Sequence, residues 1–330
     1  MRSCYRTITL ALASLLPLAS SFAADAKLVK AVSDHFELYT TDNEAAAKAA
    51  ITHFETVRGY LLKAFHSDDP FSKPVRIVGF RSPGEYGPYI PRNGDLNGKA
   101  FAEASADQVT IAMAGLKPAD YQFGVRDYVM LLLNRTAPKM PYWLRMGFSE
   151  LYCTLRMENG QLMLGSEPYR DFRRTVGTNF DMALLFALNG GAMANKGSVD
   201  FYAPSASVGI GSTTLGSAAK MASVESDQTV DYPVLLWQLT HMLLFKKEYS
   251  SKFGPFVAAV TNGEDSAAAV QRIFDLPLAG LKQDLLFYVK LSSHAVAGLK
   301  FQLDKPVTPQ VSQLSPGDSA ALLAELKAAK

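Results

Sequence analysis

The residues best placed for chemistry lie on two consecutive predicted helices. Arg126, Asp127 and Met130 fall on the first helix, and Met146 and Glu150 fall on the second. Residues four apart share one face of a helix, so Arg126 lies beside Met130, and Met146 lies beside Glu150. Arginine stays protonated at neutral pH and cannot bind zinc, and a thioether suits Cu(I) better than Zn(II). These side chains are therefore poorly suited to holding zinc.

A second chemical candidate lies in a segment rich in serine and alanine. Ser217 and Lys220 have the S-x-x-K spacing of serine acyl-enzymes, in which the lysine can act as the base. Ser226 and Asp227 are similar to the second motif of those enzymes, but the K-T-G triplet is absent and the two motifs are too close together. A hydrolase with its nucleophile at Ser217 is therefore an alternative that depends on a short match, common by chance.

The other reactive side chains show no catalytic or ligand spacing. Cys153 lies on a predicted helix among leucines, and we expect it to be buried, as unpaired cysteines usually are. His241 lies on an apolar helix near Trp237, and we expect it to be the most buried histidine. With no phosphate-binding glycine motif either, the sequence predicts neither a cofactor nor a metal. The scattered histidines are His35, His53, His66, His241 and His294.

The first part of the chain predicts a small mixed α/β layer at 24–115. Alternating apolar residues predict its strands, and an alanine-rich stretch predicts a helix at 43–65 with Asp42 as its cap. Glycine and proline predict a loop at 81–98. The predicted strands are 35–40, 74–80, 100–104 and 108–113.

The rest of the chain predicts a mostly helical lobe at 116–297, so the fold class is α+β. The two helices of the candidate site are predicted from Tyr121 onward and at 142–157, and Asn159-Gly160 predicts a tight hairpin after them. We expect 189–229 to be a long loop or insertion. The later helices are predicted at 231–247, 252–260, 265–274 and 278–294, before a C-terminal extension at 298–330 with a terminal helix.

Composition and the first residues predict an exported protein. Lysine plus arginine number 33 against 31 acidic residues, which argues against a nucleic-acid-binding protein. Residues 1–23 contain the parts of a secretory signal, with Arg2 and Arg6 before an apolar stretch at 8–18 and a small-x-small cleavage site at 21–23. We expect a periplasmic or extracellular protein with no membrane span after cleavage. The short apolar stretch disfavours the alternative, an uncut anchor.

The two helices of the candidate site resemble those of the gluzincin metallopeptidases. They resemble more closely the secreted bacterial peptidase-MA-like family of uncharacterised proteins. There, one helix carries H-E-x-x-H and the next carries W-L-x-E-G-x-A-E-Y. Here the segments read R-D-Y-V-M at 126–130 and W-L-R-M-G-F-S-E-L at 143–151. The strand at 35–37 and the helix at 232–244 extend the resemblance over most of residues 33–292.

The resemblance implies a gluzincin-like fold whose zinc ligands are replaced. The histidines fall on Arg126 and Met130, the general base on Asp127 and the third ligand on Met146, while Glu150 keeps the carboxylate that supports a histidine. If the helices pack as in the family, Arg126 pairs with Glu150 where zinc would lie, because an unpaired buried charge is costly. The alternative places Arg126 in solvent and pairs Glu150 elsewhere.

The resulting expectation is a pseudoenzyme, an exported peptidase-like protein without catalysis. We expect it to bind a peptide or an envelope protein along a strand edge in the 100–113 region, because strand addition needs only main-chain hydrogen bonds. This expectation rests on analogy of fold. The alternatives are the hydrolase at Ser217 and Lys220, and a structural role in which 316–330 is the remainder of a partner-binding helical region.

Overall fold

The structure is a computed structural model that describes five stretches of the chain. The predicted export signal at 1–23 and the segment 189–229, which includes Ser217 and Lys220, lie outside the described residues. The described stretches contain both helices and a mixed sheet, in agreement with the predicted α+β class. Within them, no helix has the length and apolar character needed to cross a membrane. The described residues are 27–90, 99–104, 108–168, 180–187 and 232–328.

The described strands form two sheets. In chain order they are β1 (Val29–Val32), β2 (Phe36–Thr40), β3 (Val75–Gly79), β4 (Ala100–Ala104), β5 (Val109–Met113), β6 (Arg156–Glu158), β7 (Gln161–Leu164), β8 (Ala297–Leu299) and β9 (Gln310–Gln313). The larger sheet has the order β4-β5-β3-β2-β1-β9. In this sheet β3 is parallel to both β2 and β5, and the other neighbours are antiparallel. The smaller sheet is antiparallel, with the order β6-β7-β8.

The helices lie on both faces of the larger sheet and form the lobe beside it. In chain order they are α1 (Glu44–Phe65), α2 (Pro83–Tyr86), α3 (Tyr121–Thr136), α4 (Tyr142–Tyr152), α5 (Met182–Ala187), α6 (Tyr232–Phe245), α7 (Lys247–Thr261), α8 (Ser266–Ala269), α9 (Leu278–Tyr288) and α10 (Pro316–Ala328). A 3₁₀ turn follows α2 at Gly87–Tyr89, and a π-helical turn follows α8 at Val270–Phe274.

One apolar core joins the sheet to the helical lobe. Helices α1 and α3 cover one face of the larger sheet, where the ring of Phe36 lies 5.7 Å from that of Phe54 and 5.4 Å from that of Tyr128. The same core continues through α4, α6 and α7. The two helices of the candidate site therefore lie between the sheet and the rest of the lobe.

Helix α4 is held in place by a close contact and a hydrogen bond. A Cβ atom at Gly147 would overlap Thr240 Oγ1 on α6, so only glycine allows this approach. The indole Nε1 of Trp143 donates to Ser266 Oγ on α8 at 3.0 Å. These contacts fix the rotation of α4 and so the direction of Met146 and Glu150.

The C-terminal extension completes the N-terminal layer. Strand β9 pairs with β1 and places Gln313 opposite Val29. The terminal helix predicted for the extension is present as α10, and it packs Leu323 and Leu326 on the sheet face opposite α1. The extension predicted at 298–330 therefore shares a sheet with the N-terminal layer.

The hairpin after α4 agrees with its sequence signal, but α4 is shorter than predicted. Asn159 and Gly160 have φ of 50° and 77°, the left-handed values that a tight two-residue turn requires. The predicted helix at 142–157 ends at Tyr152, because Arg156 pairs with Met163 in the hairpin instead of continuing the helix.

Other local predictions need correction. Asn43, not Asp42, caps α1, since its side-chain oxygen accepts from the Ala46 N–H at 2.9 Å. The predicted loop at 81–98 contains α2, which begins after the capping hydroxyl of Ser82. The sequence pattern did not indicate β1, whose four residues are too few to show clear alternation.

Candidate functional site

Arg126 of α3 and Glu150 of α4 form a buried ion pair. Arg126 Nη1 lies 3.2 Å from Glu150 Oε1, and the two side chains are 4% and 1% exposed. The guanidinium also lies over the ring of Phe123, 5.8 Å from its centroid. The predicted pair is confirmed, and the alternative that places Arg126 in solvent is wrong. Removal of either partner would take away the counter-charge of the other, which is costly for a buried group.

Asp127 lies beside this pair and is the least satisfied acid of the site. It is fully buried, and neither carboxylate oxygen has a hydrogen-bond partner in the described part of the chain. Burial raises the pKa of Asp127 to about 7; the charge of Glu150 adds to the rise and that of Arg126 opposes it. Much of Asp127 is therefore protonated at neutral pH, where an exposed aspartate is ionised.

The two methionines of the candidate site are buried in the same core. Met130 is 1% exposed and Met146 is 6% exposed. Met146 Sδ lies 3.8 Å from Ser149 Oγ, which donates to the carbonyl oxygen of Met146 at 2.8 Å. The thioethers therefore pack as apolar side chains, one helical turn from the ion pair.

Cys153 is buried, as predicted, and is not activated as a nucleophile. Its Sγ donates to the carbonyl oxygen of Glu150 at 3.0 Å. Burial raises the pKa of Cys153, and the charge of Glu150 acts in the same direction. Since the thiolate is the reactive form, this thiol is chemically inert.

A second buried cluster centres on His241 of α6. Its Nδ1 lies 2.7 Å from Tyr288 Oη, and its Nε2 lies 3.0 Å from the carbonyl oxygens of both Gly165 and Ala295. Since two carbonyls surround Nε2, that nitrogen carries the proton and Nδ1 accepts from the hydroxyl of Tyr288. Burial lowers the pKa of His241 to about 4. The neutral ring therefore joins α6 to α9 and to the ends of two loops.

The surroundings of His241 extend this cluster. The ring of Phe245 stacks on the imidazole at 4.2 Å, and His294 Nδ1 lies 3.0 Å from Glu167 Oε1. The burial of His241 agrees with its prediction from the apolar helix. Its hydrogen-bond partners have no sequence signal, because two of them are main-chain oxygens from distant loops.

The side chains of the described residues determine whether these clusters could bind a metal ion. Across them, no group of three or more His, Cys, Asp or Glu residues is arranged to hold a metal ion. The positions of Arg126, Met130 and Met146 present a guanidinium and two thioethers. The available oxygen donors there belong to Asp127 and Glu150, and the second of these is held by Arg126.

Strand β4 is an edge strand of the larger sheet, in the region where the sequence predicts peptide binding. No described strand pairs with its outer side. The Ala114 N–H donates to the Lys99 carbonyl oxygen at 2.7 Å, so Lys99 and Ala114 form a hydrogen-bonded pair of the antiparallel β4–β5 ladder. From this position, hydrogen-bonded pairs alternate along the ladder with pairs that are not hydrogen-bonded. The N–H and C=O groups of alternate β4 residues therefore point away from β5. These residues are Ala100, Ala102 and Ala104.

A cavity of about 120 Å³ lies beside β4, on the sheet face that α10 covers. Glu103 of β4, Arg76 of β3 and Glu325 of α10 supply its charged lining. Arg76 Nη1 lies 2.8 Å from Glu325 Oε1, whereas Glu103 forms no ion pair with a described residue. Burial raises the pKa of Glu103, and the charge of Glu325 adds to this effect.

No protein-family model matches the chain, and no curated protein matches it. The similarity to peptidase-MA-like proteins therefore stays a prediction from the segments at 126–130 and 143–151.

Proposed function

We propose that this chain is an exported, non-catalytic, peptidase-like protein that binds an extended peptide or an extended segment of an envelope protein. The partner adds a strand to the outer side of β4. The observation that supports the proposal is the row of main-chain groups on that side, which no described strand pairs. Strand addition obtains its affinity from such groups.

The residues of β4 support a binding role for this edge. Edge strands are usually protected from pairing by lysine, proline or a bulge. The sequence of β4 is Ala-Phe-Ala-Glu-Ala, which has no lysine and no proline. Strand β6, an edge of the smaller sheet, has two charged residues among its three. The β4 edge is therefore less protected than the β6 edge. The other two edge strands of the described sheets, β8 (Ala-Gly-Leu) and β9 (Gln-Val-Ser-Gln), also lack lysine and proline.

The proposed lack of catalysis rests on the chemistry of the site. The protonated guanidinium of Arg126 has no lone pair for a metal, and it holds the carboxylate of Glu150. Asp127 is fully buried, and its carboxylate oxygens have no hydrogen-bond partner among the described residues, so the carboxylate is closed off from a substrate and from solvent. The thiol of Cys153 is buried and has a raised pKa. None of these groups is poised to attack a peptide bond.

Capture from a random peptide library tests the binding proposal. Ala104→Pro removes an outward N–H at the end of β4 and is compatible with an edge strand, while Ala104→Ser keeps that N–H. We expect the wild-type and Ala104→Ser proteins to enrich the same peptides and Ala104→Pro to lose them, with similar thermal melts for all three. Absence of enrichment, or equal enrichment by Ala104→Pro, contradicts the proposal.

Export is tested separately by N-terminal sequencing of the protein from a fractionated bacterial host. We expect the mature chain to begin at Ala24 and to lie outside the cytoplasm. An uncleaved chain in the cytoplasmic fraction contradicts this part of the proposal and leaves the binding test unaffected.

A further inference from the structure

The side chains of β4 alternate between two different environments. The alanines face the core beneath α3, and Phe101 and Glu103 lie on the opposite face, towards α10. Phe101 lies 6.0 Å from the ring of Tyr86, within the smaller apolar cluster. A strand added to β4 places every second side chain beside these two residues, because strand neighbours share faces with a period of two.

The charges near Glu103 are unbalanced. Arg76 is paired with Glu325, so the guanidinium of the cavity already has a counter-ion. Glu103 has none among the residues that the structure describes. The cavity that Glu103 lines has room for part of a ligand side chain. Its volume is about 120 Å³, whereas one water occupies about 30 Å³ in the liquid.

We propose that β4 selects peptides in which a lysine or arginine stands two residues from an apolar side chain. This inference deepens the proposed function and rests on it. The basic residue lies opposite Glu103 and extends its apolar stem along the cavity, as long basic side chains commonly do. The apolar residue lies beside Phe101 on the same face. An acidic residue opposite Glu103 would instead add a third carboxylate to those of Glu103 and Glu325.

The protonation of Glu103 supports the same preference. Burial, followed by the charge of Glu325, raises the pKa of Glu103, so the free protein holds this carboxylate at a cost. An ammonium or guanidinium group close to Glu103 would offset that cost. Opposite charges directly across two strands are favourable, and like charges are unfavourable.

Fluorescence anisotropy with synthetic peptides of about ten residues tests this selection. One threonine-rich peptide has Phe-Thr-Lys at its centre and its partner has Phe-Thr-Glu, and both are also made in reverse order. We expect the wild-type protein to bind a lysine peptide about tenfold more tightly than the matching glutamate peptide. The order that binds better gives the direction of the added strand.

Protein variants locate the source of the preference. Glu103→Gln is expected to reduce the lysine preference to about twofold or less, and Glu103→Lys to reverse it. Glu158→Gln on β6 is the matched control, because Glu158 is an exposed glutamate on the edge strand of the other sheet. It is expected to leave the preference unchanged. Thermal melts of each variant establish that it is folded.

N-methylated peptides separate failure of the selection from failure of strand addition. Equal binding of lysine and glutamate peptides, lost on N-methylation, overturns the selection but leaves strand addition to β4 standing. A lysine preference that persists in Glu103→Lys also overturns the selection. Absence of binding by every peptide, or binding that N-methylation does not change, overturns both proposals.

Discussion

The Arg126–Glu150 pair and the His241 cluster are both buried between helices, but their polar atoms are satisfied differently. Both ring nitrogens of His241 have partners within 3.0 Å, and two of those partners are main-chain oxygens. Asp127, beside the ion pair, has no hydrogen-bond partner in the described ranges. A fully satisfied network gives a rigid core, whereas an unsatisfied buried acid is costly. Packing therefore explains the His241 cluster and does not by itself explain Asp127.

The resemblance offers an evolutionary origin for the ion-pair region. The resemblance places a zinc site at the positions of Arg126, Met130 and Met146, where Asp127 would be the base. On that hypothesis Asp127 and Glu150 are carboxylates that a metal once required, and Arg126 now compensates one of them. The His241 ring needs no such history, because hydrogen bonds account for both of its nitrogens.

The largest expected effect comes from converting the ion-pair region into a metal site. The triple variant Arg126→His, Met130→His and Met146→Glu places two imidazoles one turn apart on α3 and a carboxylate on α4. We expect it to retain about one equivalent of zinc after desalting, with a gain in stability that can reach about 10 kcal/mol. Metal content by mass spectrometry is the measurement.

The controls for this variant test the resemblance itself. The wild-type protein and a variant with glutamine at the same three positions are expected to retain less than about 0.1 equivalent of zinc. Near-stoichiometric zinc in the wild type, or a folded triple variant without zinc, would show that the positions are assigned wrongly.

Disruption of the satisfied cluster is expected to have the next largest effect. His241→Ala leaves a cavity and removes the partners of Tyr288, Gly165 and Ala295, so we expect a loss of about 5 kcal/mol in unfolding free energy. Because the pKa of His241 is lowered to about 4, its wild-type contribution is present above pH 6.5 and falls as pH drops towards 4. Urea denaturation between pH 4 and 7 measures both effects. A loss below about 1 kcal/mol would contradict a structural role.

Breaking the ion pair is expected to cost somewhat less. Glu150→Gln leaves the charge of Arg126 buried without its counter-ion, and we expect a loss of about 3 kcal/mol. The double variant Arg126→Met with Glu150→Leu removes both charges and should recover most of that loss, because apolar packing often replaces a buried pair. Urea denaturation of the single and double variants is the measurement. A double variant as unstable as the single one would contradict this account.

The smallest effect concerns Asp127 and depends on pH. Its pKa in the folded protein is about 7, against 3.8 in the unfolded chain. The free energy of unfolding is therefore unaffected by Asp127 below pH 3.8, and it falls as the pH rises from 3.8 through 7. Asp127→Asn removes that loss of about 4 kcal/mol, but its buried amide also lacks a partner. We therefore expect about 2 kcal/mol of added stability at pH 8 and about 2 kcal/mol of lost stability at pH 4. Thermal melts at the two pH values test this, and a gain that is independent of pH would refute it.

The part of the site that could be predicted is the Arg126–Glu150 pair, which follows from the resemblance and from the opposite charges of the two residues. Arg126 and Glu150 lie on apolar helices, where a buried charge requires a partner of opposite sign. The partners of His241 could not be predicted, since Gly165 and Ala295 contribute main-chain atoms whose positions depend on the whole fold. The unpartnered state of Asp127 is likewise a property of its neighbours and not of its own residue type.

In the fold, too, features that depend on neighbouring residues could be predicted, and features that depend on distant residues could not. The hairpin at Asn159-Gly160 is local, and its turn residues identify it. The end of α4 was predicted wrongly because pairing of Arg156 with Met163 overrides a continuing helical pattern. Strand β1 and its pairing with β9 depend on residues from opposite parts of the chain, which no local pattern reports.

The pairing of β1 with β9 has a consequence for folding kinetics. The Leu28 N–H donates to Ser319 Oγ, a contact between residues 291 positions apart. The hairpin and the helices of the lobe can form from nearby residues, but contacts of such long range are slow to form. During synthesis, β1 keeps an unpaired edge and the sheet keeps an uncovered apolar face until residues 310–328 have been made. The N-terminal layer, although translated first, is therefore among the last parts of the molecule to reach its native structure.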